Sequence, residues 1–253
     1  MKNKKIMAIF LLTIFSMYFL NFNVMALKND NLDLKSKNII YESYISSLQS
    51  KKNISNEKEI FNYISKLNYN QSLDYDQELK RISEEYKVGE ILNENDTKIL
   101  FESMLYNPEN IMEKRSGSLS KSIPSKTLTK FNTKVTLSGT MYQNIANGAG
   151  TNTYRGAIKV IRNSGKSSQV KMSTYHTAYG GAGWNGNFPE VGLIYNGNVG
   201  HTQNTTGTSY GMDKTSRYNG VLIFYTTMWT KASILTGGGQ SFDIASSTWK
   251  AYH

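Results

Sequence analysis

The chain has 253 residues, a formal net charge of +10 and no cysteine. The absence of cysteine excludes disulfides and thiolate metal sites, so a packed core alone must hold the fold together. The length suits one large domain or two small ones.

The first 26 residues have the layout of a secretory signal peptide. A basic start, Met-Lys-Asn-Lys-Lys, precedes an apolar run from Ile6 to Phe22 and a cleavage signal that ends at Ala26. Because the run approaches the roughly 20 apolar residues that a membrane span needs, an uncleaved anchor is the alternative. We predict residues 1–26 to be a cleaved signal peptide and the protein to be extracellular.

Charge divides the remaining chain at Arg115. Residues 27–115 contain 13 Lys+Arg and 16 Asp+Glu, a net charge of −3, whereas residues 116–253 contain 13 Lys+Arg and 3 Asp+Glu, a net charge of +10. The pair Lys114-Arg115 also precedes a Ser-rich stretch, and exposed polar linkers are frequent sites of proteolysis. The dipeptide alone is typical of solvated charges at a helix end, and the charge step at the same position makes processing after Arg115 an equal alternative.

Residues 27–115 are predicted to form an acidic helical segment that serves as a propeptide if the chain is cut. Asn56 and Asp74 each precede a capping pattern and a face of apolar residues with helical spacing. Short amphipathic helices need a partner surface to be stable. The apolar positions are Ile40, Tyr44 and Leu48, then Ile60, Tyr63, Ile64 and Leu67, then Leu79, Ile82 and Tyr86, then Ile99, Leu100, Met104 and Leu105.

Residues 116–134 are predicted to be a Ser/Thr/Lys-rich linker, and residues 135–253 a basic β-rich domain. Apolar and polar residues alternate over 135–142, 170–173 and 191–196, as in strands with one buried side, and 221–225 is a continuous apolar run typical of a central strand. Dipeptides such as Asn196-Gly197 predict turns. The fold class is thus α+β overall: a short helical N-terminal segment followed by an all-β antiparallel sandwich or barrel. The aromatic residues expected in its core are Phe224, Trp229, Phe242 and Trp249.

Residues able to catalyse hydrolysis are few in the basic domain. No segment matches a zinc-binding H-E-x-x-H or a G-x-S-x-G nucleophile motif, so we predict neither a metal nor another cofactor, and the sequence leans against an enzyme. For each candidate, a hydrogen-bonding or turn-capping role is the simpler interpretation. If the chain is an enzyme, its catalytic residues come from His176, His201, Glu190 and Asp213.

Surface binding accounts better for a domain that is rich in Lys, Arg and aromatic residues. A strongly positive surface attracts polyanions, and Tyr and Trp suit either sugar stacking or a membrane interface. The stretch from Tyr175 to Glu190 is predicted to be a glycine-rich contact loop, with a plain hairpin connection as the alternative. The predicted surface residues are Tyr175, Tyr179, Trp184, Phe188, Lys159, Arg162 and Lys171.

The expected partners are anionic membranes or cell-wall polymers, surface glycans and further copies of the chain. Nucleic acid is not expected, because the Lys and Arg residues do not interleave with aromatic residues as in RNA-binding sheets. The layout resembles that of secreted toxin and bacteriocin precursors, a likeness that assigns no residue a role. We hypothesise a secreted cationic effector, bacteriocin-like or pore-forming. The alternatives are a hydrolase activated by loss of its prosegment and a non-toxic envelope or matrix protein.

Overall fold

A computed structural model describes residues 34, 37–38, 40–42, 44–45, 57–105, 117–146, 151–185, 188–204, 206–220 and 222–253. The side chains of residues 57, 182–185 and 188–189 lie outside that description. In these ranges the chain forms two antiparallel sheets and a few short helices, and the sheets do not close into a barrel. The predicted processing residues Ala26, Lys114 and Arg115 fall outside the described ranges.

In the described ranges three regular helices precede the strands, and the first two follow the predicted capping positions Asn56 and Asp74. They are α1 (Glu57–Ser65), α2 (Tyr75–Glu85) and α3 (Glu94–Leu105), and the described residues among 34–45 are helical as well. The Asp74 carboxylate accepts hydrogen bonds from the backbone N–H groups of Asp76 and Gln77, both at 3.1 Å, as an N-cap does. The buried Asp96 carboxylate joins α2 to α3, because it binds the Arg81 guanidinium and accepts a hydrogen bond from the Tyr86 hydroxyl at 2.7 Å.

Within the described ranges, the two sheets consist of nine strands. The strands are β1 (Gly117–Lys130), β2 (Thr133–Ile145), β3 (Thr151–Ser164), β4 (Ser167–Asn185), β5 (Phe188–Gln203), β6 (Ser209–Asn219), β7 (Ile223–Thr236), β8 (Ser241–Ala245) and β9 (Trp249–Tyr252). The first sheet has the order β1-β2-β3-β6 and the second the order β5-β4-β7-β8, with β9 also paired to β7. All of these pairings are antiparallel, as the alternating strands predicted.

The main core lies between the two sheets. Alternate residues of β2, such as Val135, Leu137 and Met141, point into it and are almost fully buried. Phe242 and Trp249 belong to the same core, as the sequence predicted. Burial of this apolar surface is the main stabilising contribution in a chain without disulfides.

A second core lies on the other side of the second sheet, where the helices pack. Its helical side includes Ile60 of α1, Ile82 of α2, and Leu100 and Phe101 of α3. Its sheet side consists of Tyr179, Val191, Leu193, Phe224, Tyr225 and Tyr252. The helices therefore cover the outward side of β4, β5, β7 and β9, which we call the covered face.

The helical segment also pairs with the edge of the second sheet. The connection between α2 and α3 forms an isolated antiparallel bridge between Ile91 and Gly192 of β5. The backbone N–H of Leu92 donates to the Val191 carbonyl at 2.7 Å, and that of Gly89 donates to the Leu193 carbonyl at 2.8 Å. The edge of β5 is thus occupied at this point by the chain's own N-terminal segment.

The predicted linker over residues 116–134 is wrong for most of its length. Residues 117–130 form β1, the edge strand of the first sheet, in which Leu119 and Ile123 are buried against the core. Pro124 lies where the register of β1 on β2 shifts, a position at which the missing N–H is tolerated. The serines and threonines lie on the solvent-facing side of this edge strand, and their composition is the same as that of a flexible linker.

The described residues of the stretch from Tyr175 to Glu190 are strand residues and not a loop, and residues 186–187 lie outside the described ranges. The stretch belongs to the long hairpin of β4 and β5, whose register runs from Val170–Gln203 to Asn185–Phe188. Its glycines allow close packing of backbone, since a Cβ on Gly180 would lie 2.5 Å from the Leu222 carbonyl oxygen. The turn predicted at Asn196-Gly197 is likewise wrong, because both residues lie within β5 and pair with β4.

Candidate functional site

His176 lies between the two sheets, in a cluster of aromatic rings. Its ring stacks on Tyr154 with centroids 4.8 Å apart, and its Nε2 is 2.8 Å from the Tyr218 hydroxyl. Tyr195 stacks on Tyr218 at 4.2 Å and shares a 3.1 Å hydroxyl hydrogen bond with Tyr154. Burial, together with the nearby His253, lowers the pKa of His176 to about 3, so the ring is neutral at neutral pH. In this position it joins strands of both sheets and is shielded from solvent.

A second buried histidine, His253, was not among the catalytic candidates predicted from the sequence. Its Nε2 is 2.9 Å from the Thr226 hydroxyl, which donates to the Gln143 side chain of the opposite sheet at 2.8 Å. Burial lowers the pKa of His253 to about 3. Because its partners lie 27 and more residues away in sequence, no local pattern could have revealed this contact.

The four residues named as catalytic candidates are not brought together. Asp213, predicted to cap a turn, lies within β6 and forms a two-pronged ion pair with Arg155 at 2.5 and 2.6 Å, which lowers its pKa. Glu190 and His201 both lie on β5, eleven residues apart, which is roughly 36 Å along an extended strand. Among the described residues, no group of three or more His, Cys, Asp or Glu is arranged to hold a metal ion.

The predicted surface residues of the second sheet have different environments. Tyr179 is buried under the helices, where its hydroxyl is 3.4 Å from the Leu79 carbonyl, and Lys171 is exposed. Tyr175 is half-buried at the end of the covered face that the helices leave accessible. Trp184 and Phe188 lie on the β4–β5 hairpin, and their side chains are outside the described part of the chain. The predicted core residue Trp229 instead points outward, half-buried, beside Tyr175.

The predicted surface residues of the first sheet, Lys159 and Arg162, are separated from that group. Lys159 is exposed on β3. The Arg162 guanidinium donates to the carbonyls of Gly165, Thr206 and Gly207, and so fastens the end of β3 to the loop before β6. Since all three of these acceptors are backbone groups, the Arg162 side chain is largely committed to the fold.

The outward side of the first sheet is polar and cationic, and we call it the open face. It carries hydroxyl residues of β2, β3 and β6 and the cations Lys134, Arg155, Lys159 and Arg217. Asp213 is the acidic residue among its described side chains. Arg155 is held by Asp213 and lies 4.8 Å from the Tyr142 ring centre. Lys134, Lys159 and Arg217 are exposed and point to solvent. The hydroxyl residues are Thr136, Ser138, Thr140, Thr153 and Thr215.

The contacts between the helices and the covered face are mostly apolar, with polar contacts around them. The Tyr252 hydroxyl donates to the Met104 carbonyl at 2.5 Å, and the Asn196 amide donates to the Ser83 carbonyl at 2.6 Å. The largely buried Lys250 ammonium lies 2.8 Å from the Asp76 carboxylate of α2. The described part of the helical segment therefore covers tyrosines and one lysine, and it makes no contact with the cations of the open face.

Comparison with models of known protein families and with curated proteins gave no match for this chain. Within the described ranges, no helix is both long enough and apolar enough to cross a bilayer.

Proposed function

We propose that the protein is an exported precursor whose basic sandwich binds anionic polymers or anionic membranes of cell envelopes. The observation that carries this proposal is the open face. There, three exposed cations, Lys134, Lys159 and Arg217, project from paired strands of one sheet beside a single described acid, which Arg155 already neutralises. Exposed cations on a hydroxyl-rich sheet surface favour a repeating anionic partner such as a teichoic acid or a layer of phospholipid head groups.

In this proposal the helical segment is a prosegment that covers the other face. Removing residues 27–115 would raise the net charge of the exported chain from +7 to +10 and uncover Tyr179, Tyr225 and Tyr252. Tyrosines combine an apolar ring with a polar tip and suit the interface between membrane and water. The released sandwich would then act as a bacteriocin-like or pore-forming effector, by electrostatic accumulation followed by aromatic contact.

The first experiment measures binding of residues 27–253 to vesicles of phosphatidylglycerol by co-sedimentation. Replacing Lys134, Lys159 and Arg217 by Gln should weaken binding about a hundredfold, since each cation near an anionic surface contributes about 1 kcal/mol. The matched control replaces Lys58, Lys66 and Lys87 of the helical segment, which removes the same charge from exposed positions. Equal losses in the two triple variants would show that net charge, and not the open face, determines binding.

The second experiment tests the prosegment. Cleavage at a protease site introduced between residues 105 and 117 should strengthen vesicle binding, and the affinity should fall as salt is added. Equal, salt-insensitive binding before and after cleavage would contradict the masking role. Harmlessness of the cleaved protein to bacteria and to animal cells would favour the envelope or matrix alternative over a toxin.

A further inference from the structure

A cleft of about 800 Å³ lies between α2 and the accessible end of the covered face. One wall comes from α2, and the floor comes from β4, β5 and β7. Its volume is within the range of small-molecule sites in proteins, which are about 300–1,000 Å³. Because the cleft lies on the opposite side of the molecule from the open face, it has no part in the binding proposed above.

An aromatic platform lies on the floor of the cleft. Tyr175 of β4 and Trp229 of β7 face each other across the sheet, with ring centres 4.1 Å apart and planes 7° from parallel. The stacking occupies one face of each ring, and both side chains are half-buried, so a further partner would stack on an outer ring face. Flat aromatic faces of this kind stack on the C–H side of a sugar ring.

The charged side chains that line the cleft are already paired within the protein. Lys80 lies 3.8 Å from Glu84, and Lys231 lies 3.2 Å from Asp243. Asp76 holds Lys250, and Asp74 accepts the N-cap hydrogen bonds of α2. A charged ligand would have to compete with these partners, so the cleft favours an uncharged one.

Neutral hydrogen-bonding groups surround the platform. Thr177 and Thr227 lie on the floor beside it, Asn198 lies on β5, and Gln77 reaches the cleft from α2. Hydroxyl and amide groups both donate and accept hydrogen bonds, as the hydroxyls of a sugar require. A stacking platform ringed by such groups combines the two features of a carbohydrate site.

We propose that this cleft binds a neutral oligosaccharide, with Trp229 and Tyr175 as the stacking platform and with Asn198 and Gln77 as hydrogen-bonding groups. The proposal does not depend on the open face or on processing. A sugar in the cleft contacts both α2 and the sheet, so it stabilises the attachment of the helical segment to the sandwich.

The test is calorimetric titration of residues 27–253 with chitotriose, cellotriose and maltotriose. At least one trisaccharide should bind with a dissociation constant below about 1 mM. Trp229→Ala should weaken that binding at least about tenfold and Trp229→Phe should restore most of it, because stacking needs only the ring. Tyr142→Ala is the matched control, since this tyrosine is half-buried on the other sheet and far from the cleft; it should leave binding unchanged.

A second variant at an exposed position keeps the test valid if Trp229→Ala misfolds. Asn198 is exposed, so Asn198→Ala should keep the fold, checked by circular dichroism, and should weaken binding about threefold or more. Failure of all three sugars to bind the wild type, or wild-type affinity in both Trp229→Ala and Asn198→Ala, overturns the proposal. Vesicle binding is measured on the same samples: sugar binding without vesicle binding removes the proposed function alone, and vesicle binding without sugar binding removes the cleft site alone.

Discussion

The covered face and the open face are both built from alternating antiparallel strands, yet their side chains differ. The covered face presents tyrosines and aliphatic residues to the helices, and its hydroxyls and amides bond to helix carbonyls. The open face presents Ser, Thr, Lys and Arg to solvent. An alternating strand pattern therefore does not show that one side of a sheet faces solvent. The second sheet buries one side against the first sheet and the other side against the helices.

The largest expected difference between the faces is in stability. Phe224 lies under the helices, stacked on Phe101 at 5.8 Å, so Phe224→Ala should lower the free energy of unfolding by about 3–5 kcal/mol. On the open face, Tyr142→Ala should lower it by about 1 kcal/mol or less. Urea denaturation of both variants provides the measurement. Similar losses for the two would mean that the helices contribute little to the stability of the covered face.

Acid should lower the free energy of unfolding through the two histidines that lie between the sheets, and not through the tyrosines under the helices. His176 and His253 have a folded-state pKa of about 3, against about 6.5 when unfolded. The unfolded chain binds the protons first, so the stability present above pH 6.5 declines as the pH falls towards 3. At pH 5 the loss is about 2 kcal/mol per histidine. The tyrosines under the helices have a raised pKa and stay neutral throughout this range.

Urea midpoints between pH 7.5 and 5 test this expectation. His176→Gln should remove about half of the pH dependence, with His253 supplying the remainder. A pH dependence as steep as that of the wild type would show that other groups are responsible.

A smaller effect is expected from the ion pair that links the helices to the covered face. Asp76→Asn would leave the largely buried Lys250 ammonium without its partner and should destabilise the fold by about 1–3 kcal/mol. The exposed pair of Lys80 and Glu84 on the same helix is the control, and Glu84→Gln should cost less than about 0.5 kcal/mol. Thermal melting of the two variants at neutral pH compares them directly, and equal shifts would indicate that Lys250 is solvated.

The helices and the strands with a clear alternating or continuous apolar pattern, such as β2 and β7, could be predicted, because their signals are local. Asp74 as an N-cap and the alternation from Val135 to Tyr142 each depend on neighbouring residues, and the structure has α2 and β2 at those places. The prediction failed where contacts with distant parts of the chain determine the local structure. Residues 117–130 become a strand only because β2 lies beside them, and Gly180 is needed only because the chain at Leu222 passes close to it.

The candidate sites were harder to predict than the fold. Tyr175 was identified as a surface residue, but its partner Trp229 is 54 positions away, and the register of β4 on β7 brings the two together. His176 was a catalytic candidate because histidines are rare in the chain. Its burial depends on Tyr154 and Tyr218 from the opposite sheet. Which side of a strand faces solvent follows from parity, whereas the element that covers it follows from tertiary packing.

The backbone pairing between residues 89–92 and β5 has a consequence for assembly. A strand edge that already exchanges hydrogen bonds cannot accept a strand from a neighbouring molecule at the same place. As long as the connection between α2 and α3 stays in position, no further strand can pair with the start of β5. If the helical segment is removed as proposed above, the same step would free this edge to pair with a strand of another molecule.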